Sequence, residues 1–175
     1  MTILTEIARK AIEGYLKDDD FYPNLETKEK YSTNRASFVT ITKNNQLRGC
    51  IGSLEAHQPL WEDVKENAIK AAFHDSRFQP IKDNELPEIK IEVSILSEPE
   101  KIEVKHSKFL TEKITKDMGL ILKFGNATST FLPQVWDEIT DKTEFLERLS
   151  LKAGLEKDDW KKSEIYFYTI KKESE

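Results

Sequence analysis

Residues 88–96, Glu88-Ile89-Lys90-Ile91-Glu92-Val93-Ser94-Ile95-Leu96, decide the fold class. Ile89, Ile91, Val93 and Ile95 occupy every second position, with Lys90, Glu92 and Ser94 between them. A period of two belongs to a strand with one apolar and one wet face. Parallel sheets are covered on both sides, so a wet face favours antiparallel pairing.

Working outward, Ser37–Thr42 (SFVTIT) is rich in β-branched residues and predicts a second strand. The turn Lys43-Asn44-Asn45-Gln46 would return the chain through Leu47–Leu54 (LRGCIGSL) as the other arm of a hairpin. Gly119–Phe124 and Glu164–Ile170 predict two more strands. Ile3, Leu4, Ile7, Ala8, Ala11, Ile12, Tyr15 and Leu16 form one helical stripe that should end near Asp18–Asp20. Phe21–Asn34 is polar, carries Pro23 and predicts a loop. Pro59 opens a helix with Leu60, Trp61, Val64, Ala68, Ala71 and Ala72 on one face, stopping near His74–Asp75. Asp141 and Glu144 cap a helix through Phe145, Leu146, Leu149 and Ala153, which Gly154–Leu155 closes. The expected fold class is α+β (mixed α/β), a mostly antiparallel sheet with flanking helices. No repeat or linker interrupts it.

Composition narrows the function. A length of 175 residues suits one domain, and 38% hydrophobic against 34% charged residues implies a large solvated surface. No apolar run approaches the roughly 20 residues that span a bilayer. The net charge of −5 disfavours a general nucleic-acid binder. The first residues, MTILTEIARKAIEGYL, lack the pattern of a secretory signal, so the cytoplasm is the expected compartment. A single cysteine excludes an internal disulfide and thiolate-rich zinc or iron–sulfur sites, and no metal site is expected.

Leu47-Arg48-Gly49-Cys50-Ile51-Gly52 sets two of the six glycines around the lone cysteine, beside an arginine. Arg48 would favour the Cys50 thiolate, while Gly49 and Gly52 would leave backbone amides open to a carboxylate, phosphate or developing oxyanion. The same residues also suit a buried cysteine in a closely approached strand. In the stretch Phe73-His74-Asp75-Ser76-Arg77-Phe78, His74 could act as a base, with Asp75 and Arg77 as orienter and anion clamp. Asp75 and Arg77 at a helix end equally suit a local cap and ion pair. His57 and His106 read as surface residues. In Thr130–Trp136 (TFLPQVW), Pro133 fixes a bend between a strand and a short helix, Phe131, Val135 and Trp136 suit a core, and Gln134 could hydrogen-bond a bound group.

LRGCIGSLEA, AAFHDSRFQP, EIKIEVSIL, TFLPQVW and FLERLSLKAGL, in this order from about Ile3 to Ile170, resemble the AMMECR-type (AMME syndrome candidate) family, whose microbial members are called AmmeMemoRadiSam system protein A. The resemblance implies one domain over residues 1–175 with two unequal sub-lobes around a cleft. It also implies a three-part system with a Memo-like protein and a radical S-adenosylmethionine protein. The iron–sulfur cluster and S-adenosylmethionine are then expected only on the partner, with no cofactor in this chain. The family signature falls on Leu47–Gly52, on Asp75, Arg77 and Phe78, and on Leu132–Val135. Many members carry cysteine where this chain has Ser150, which argues against a two-thiol mechanism here.

The leading expectation is a component that holds a small anionic or carbonyl-bearing substrate near Arg48 and Cys50 for a modification reaction. Arg48 would supply charge, and Cys50 would be nucleophile or packed wall. The alternative is a non-catalytic adaptor binding partners through Phe21–Asn34 and the aromatic-rich C-terminal region. Association with nucleic acid ranks third.

Overall fold

A computed structural model describes all residues, 1–175. In chain order the elements are α1 (Ile3–Leu16), α2 (Leu25–Lys30), β1 (Ser37–Lys43), β2 (Gln46–Gly52), α3 (Leu60–Phe73), β3 (Ile89–Leu96), β4 (Glu100–Lys101), α4 (Leu110–Lys113), β5 (Gly119–Phe124), β6 (Ala127–Phe131), α5 (Lys142–Lys152), β7 (Glu164–Tyr168) and β8 (Ile170–Ser174). They form two four-stranded sheets in a mixed α/β fold, divided into unequal compact units of residues 1–96 with 171–175, and residues 97–170.

The first unit contains the sheet β2-β1-β3-β8 with α1 and α3 against one face. β1 pairs antiparallel with β2 and with β3, as the alternation of residues 88–96 requires. Val39 lies opposite Val93 and Ile41 opposite Ile91, so the apolar rows meet Leu4, Ile7 and Ile12 of α1 and Val64 and Ala68 of α3 in one core. Toward its end β3 departs from strict alternation, with Ser94 buried and Ile95 half-buried. Helix α1 starts where the Thr2 hydroxyl accepts from the Thr5 N–H, while Thr5 Oγ1 accepts from the Thr2 N–H at 2.9 Å. It ends before Asp18, whose φ of 53° turns the chain away. Asn44 and Asn45, at φ 53° and 62°, form the tight turn between β1 and β2.

The segment 21–34 is not a plain loop. Asn24 caps α2 by accepting from the Thr27 N–H at 2.9 Å. α2 buries no residue, so it has no apolar stripe from which to be recognised. Lys28 reaches over the rings of Tyr22 and Trp61 and holds this segment by cation–π contacts.

The second unit contains the sheet β4-β7-β5-β6, with β5 antiparallel to both β6 and β7. Phe145, Leu146 and Leu149 of α5 pack with Leu120, Leu122 and Ile165. Asp141 accepts from the Glu144 N–H at 2.8 Å to start α5, and Gly154, at φ 77°, ends it. Trp136 stacks on Phe145 with ring centroids 3.7 Å apart and donates its indole N–H to the Met118 carbonyl. The strand expected over 164–170 is two strands. It breaks at Thr169, where Ser97 donates to the Thr169 carbonyl and its hydroxyl accepts the Thr169 N–H.

Candidate functional site

β2 is an edge strand, and what happens at Cys50 follows from one extra residue in its pairing. Gln46 lies opposite Lys43 and Leu47 opposite Thr42, but Gly49, not Arg48, lies opposite Ile41. Arg48 is the extra residue of a β-bulge. A shift of one residue exchanges the faces of a strand. Gly49 and Ile51 therefore share the helix-facing rows of Ile41 and Val39, while Cys50 lies opposite Thr40 on the other face. Its Sγ is 3.3 Å from Thr40 Oγ1, and Cys50 as a residue is half-buried.

Two glycines make this geometry possible. A Cβ on Gly49 would lie 2.1 Å from the Ala71 carbonyl oxygen of α3, so only glycine lets β2 approach the helix this closely. A Cβ on Gly52 would meet the Phe38 ring at 2.2 Å. Both glycines thus serve close packing. The amide nearest the thiol, that of Cys50, already has an acceptor.

That acceptor is Asp75, just beyond α3. The Cys50 N–H donates to Asp75 Oδ2 at 2.9 Å, and Arg77 Nη2 donates to the Cys50 carbonyl at 3.2 Å. Arg77 also grips Asp75 at both oxygens, Nε to Oδ1 at 2.9 Å and Nη2 to Oδ2 at 2.7 Å. Asp75 and Arg77 thereby occupy the hydrogen-bonding groups that a neighbouring strand would take from Cys50. The Arg77 guanidinium, helped by the amides of Cys50 and Arg77 and opposed by burial, holds the Asp75 carboxyl well below the usual carboxylate range. Asp75 in turn raises the pKa of Arg77. The Arg77 side chain remains 54% exposed.

Arg48 is committed elsewhere. Its Nε and Nη2 bind both oxygens of Glu85, at 3.1 and 3.0 Å, and its Nη1 donates to the Gln79 carbonyl at 2.8 Å. Led by the Arg48 hydrogen bonds, these contacts pull the Glu85 carboxyl down to about 2. The arginine of LRGCIG thus ties β2 to residues 79–85, while Asp75 and Arg77 tie residues 75–77 back to β2. The two motifs brace each other.

His74 caps α3, is exposed and turns its ring edge to Tyr15, at 6.1 Å between centroids. The side-chain hydrogen bond of Cys50 goes to Thr40, and none joins it to His74. Gln134, in the second unit, is exposed. His57 and His106 are on the surface. No group of three His, Cys, Asp or Glu side chains could hold a metal ion.

Thr40 links the thiol to a shallow cavity of about 210 Å³ lined by Thr40, Thr42, Lys90, Ile91, Glu92, Ser174 and Glu175. Glu92, opposite Thr40 on β3, bonds Lys172 at 3.0 Å and accepts from Ser174 at 3.4 Å. Lys90 is exposed. Cys50, Thr40, Thr42, Lys90 and Glu92 therefore share one face of the sheet, and Ser174 and a second carboxylate, Glu175, complete the cavity. Sequence reasoning missed Thr40 and Glu85, because the partner of Cys50 depends on the bulge and that of Arg48 on a long-range contact. It also missed the buried carboxylate of Asp63, which accepts from Ser37, Ser53, Gln58 and Asn67 and pins α3 to both arms of the hairpin.

A family model described as AMMECR1 matches residues 5–173. A protein of Nanoarchaeum equitans is 41% identical over 170 residues, covering 94% of each chain. One from Methanopyrus kandleri is 41% identical over 176 residues, covering 95% of this chain and 83% of its own. The crystal structure of an uncharacterized protein from Pyrococcus horikoshii superposes with a TM-score of 0.83 at 36% identity, covering 98% of this chain and 89% of that one.

Proposed function

The chain belongs to the AMMECR1 family, and from that premise we propose that it is the substrate-holding component of a cytoplasmic three-part modification system. Its companions in this reading are a Memo-like protein and a radical S-adenosylmethionine protein, and the latter carries the iron–sulfur cluster and S-adenosylmethionine. The observation that carries the proposal is the bracing of Cys50. Both backbone groups are tied down by Asp75 and Arg77, while the half-buried Cys50 sets its thiol against Thr40, which lines a polar cavity.

The substrate is a small molecule with a carbonyl and a negative charge. Addition of the Cys50 thiol across the C=O forms a C–S bond and leaves the proton on oxygen, a reversible and redox-neutral way to hold a substrate for a partner. Arg77, whose charge Asp75 balances, offers the remaining N–H groups of its half-exposed side chain as donors to the negative group. Arg48 positions the strand.

The test compares alkylation of Cys50 by iodoacetate, an anion, with alkylation by neutral iodoacetamide. A higher iodoacetate-to-iodoacetamide rate ratio than that of free glutathione, lowered by Arg77→Gln, supports the reading. A ratio equal to that of glutathione contradicts it.

A non-catalytic adaptor is the second reading, favoured by the exposed Tyr22 and Leu25 on the segment 21–34. Size-exclusion chromatography of the purified components tests it. Co-migration that Leu25→Asp abolishes and Cys50→Ser preserves would make the adaptor the better account.

A further inference from the structure

The second unit contains a cavity of about 290 Å³ that plays no part in the Cys50 site. Ile102, Leu110, Trp160 and Ile165 supply its apolar wall, and lysines stand around it. Lys101 is neutralised by Glu164, and Lys161 by Asp158 at 2.5 Å. Two lysines are left to act outward. Lys162 has only a distant carboxylate, Asp159 at 3.7 Å, and Lys105 makes no ion pair.

Trp160 carries the second, independent observation. It is 4% exposed, and its indole nitrogen is buried without a hydrogen-bond partner. The indole N–H is donor-only, and buried donors in native structures are nearly always paired. The other core tryptophan follows the rule, since Trp136 donates to Met118. Trp160 belongs to the wall of this lysine-ringed cavity, and its covered, unanswered donor leaves room for an acceptor from outside the chain.

We infer that this cavity binds a small organic carboxylate. The apolar body of the ligand lies against Ile102, Leu110 and Ile165. One carboxylate oxygen accepts the Trp160 N–H, and Lys105 and Lys162 supply the positive field. The N–H is covered by its neighbours, so binding includes a side-chain adjustment of the kind common at ligand sites. A monoanion fits better than a phosphate dianion, because Glu103 and Glu164 also line the cavity and oppose a doubly charged guest. The volume lies at the small end of ligand pockets, which selects a compact molecule.

Nuclear magnetic resonance of the full-length ¹⁵N-labelled chain tests this directly, with Trp61, Trp136 and Trp160 as three separate indole reporters. Sodium benzoate is the probe, with benzamide and inorganic phosphate as comparators. The Trp160 signal is expected to move downfield saturably with benzoate, as a charged acceptor engages its N–H, while those of Trp61 and Trp136 stay in place. Replacing Lys105 and Lys162 with alanine together, a surface change, is expected to weaken binding at least about fivefold. Three results would overturn the inference: no saturable movement, an equal response to benzamide or phosphate, or affinity unchanged by the double lysine substitution.

Discussion

Cys50 stands directly across from Thr40, with its Sγ 3.3 Å from the threonine hydroxyl, because Arg48 is bulged out of the hairpin between them. Without the bulge, pairing counted from Lys43 opposite Gln46 would set Cys50 against Val39, in a row that is fully buried. The residue that looked like the charge of the site therefore determines the face on which the thiol lies.

Arg48→Ala should act on stability more than on the thiol. It removes both hydrogen bonds to Glu85 and should cost about 1–3 kcal/mol in urea unfolding. Cys50 should still react in the folded variant, which separates a positioning role for Arg48 from direct contact with substrate.

The two bracing carboxylates make stability depend on pH. The pKa values of Asp75 and Glu85 are both lowered in the folded chain, Glu85 to about 2. Their contribution is therefore complete above the unfolded value of about 4 and is lost as pH falls toward the folded values. With solvent screening each contributes on the order of 1 kcal/mol. Urea unfolding at pH 7, 4 and 3 should show this decline, and the pair Asp75→Asn with Glu85→Gln should flatten it.

The two glycines of the motif should differ in tolerance. Gly49→Ala meets the backbone carbonyl of Ala71, which cannot yield without moving α3, and should cost about 2–3 kcal/mol. Gly52→Ala meets the Phe38 side chain, which can rotate, and should cost less. Thermal midpoints of the two variants give the order directly.

Ser150 is fully buried and its hydroxyl has no partner. Ser150→Ala or Ser150→Cys should therefore stabilise the chain by about 1 kcal/mol, read as a higher urea midpoint. A loss of stability would show that the hydroxyl is paired in solution.

The fold was legible where burial is periodic. The alternation of residues 88–96 and the stripes of α1, α3 and α5 each face a core. α2 buries nothing, and β8, sequence IKKES, is a charged edge strand, so neither leaves an apolar pattern to read. In β6 the one buried residue is Ser129, whose hydroxyl bonds the Leu149 carbonyl, and a buried serine looks like a loop residue in the sequence. At the site, the residue types of LRGCIG and of Asp75 and Arg77 were readable, but their partners were not. A one-residue bulge sets the row of Cys50, and the Arg48–Glu85 pair spans 37 positions. Nothing in the sequence separates Asp63 from its first-turn neighbour Glu62, yet Asp63 is fully buried among hydroxyl and amide donors.

The most direct test of the account is the reactivity of Cys50 toward Ellman's reagent in the native chain. A half-buried Cys50 on the polar face predicts one equivalent of thiol released in buffer without denaturant, and none from Cys50→Ser. A thiol that reacts only after unfolding would place Cys50 in the core and contradict the account.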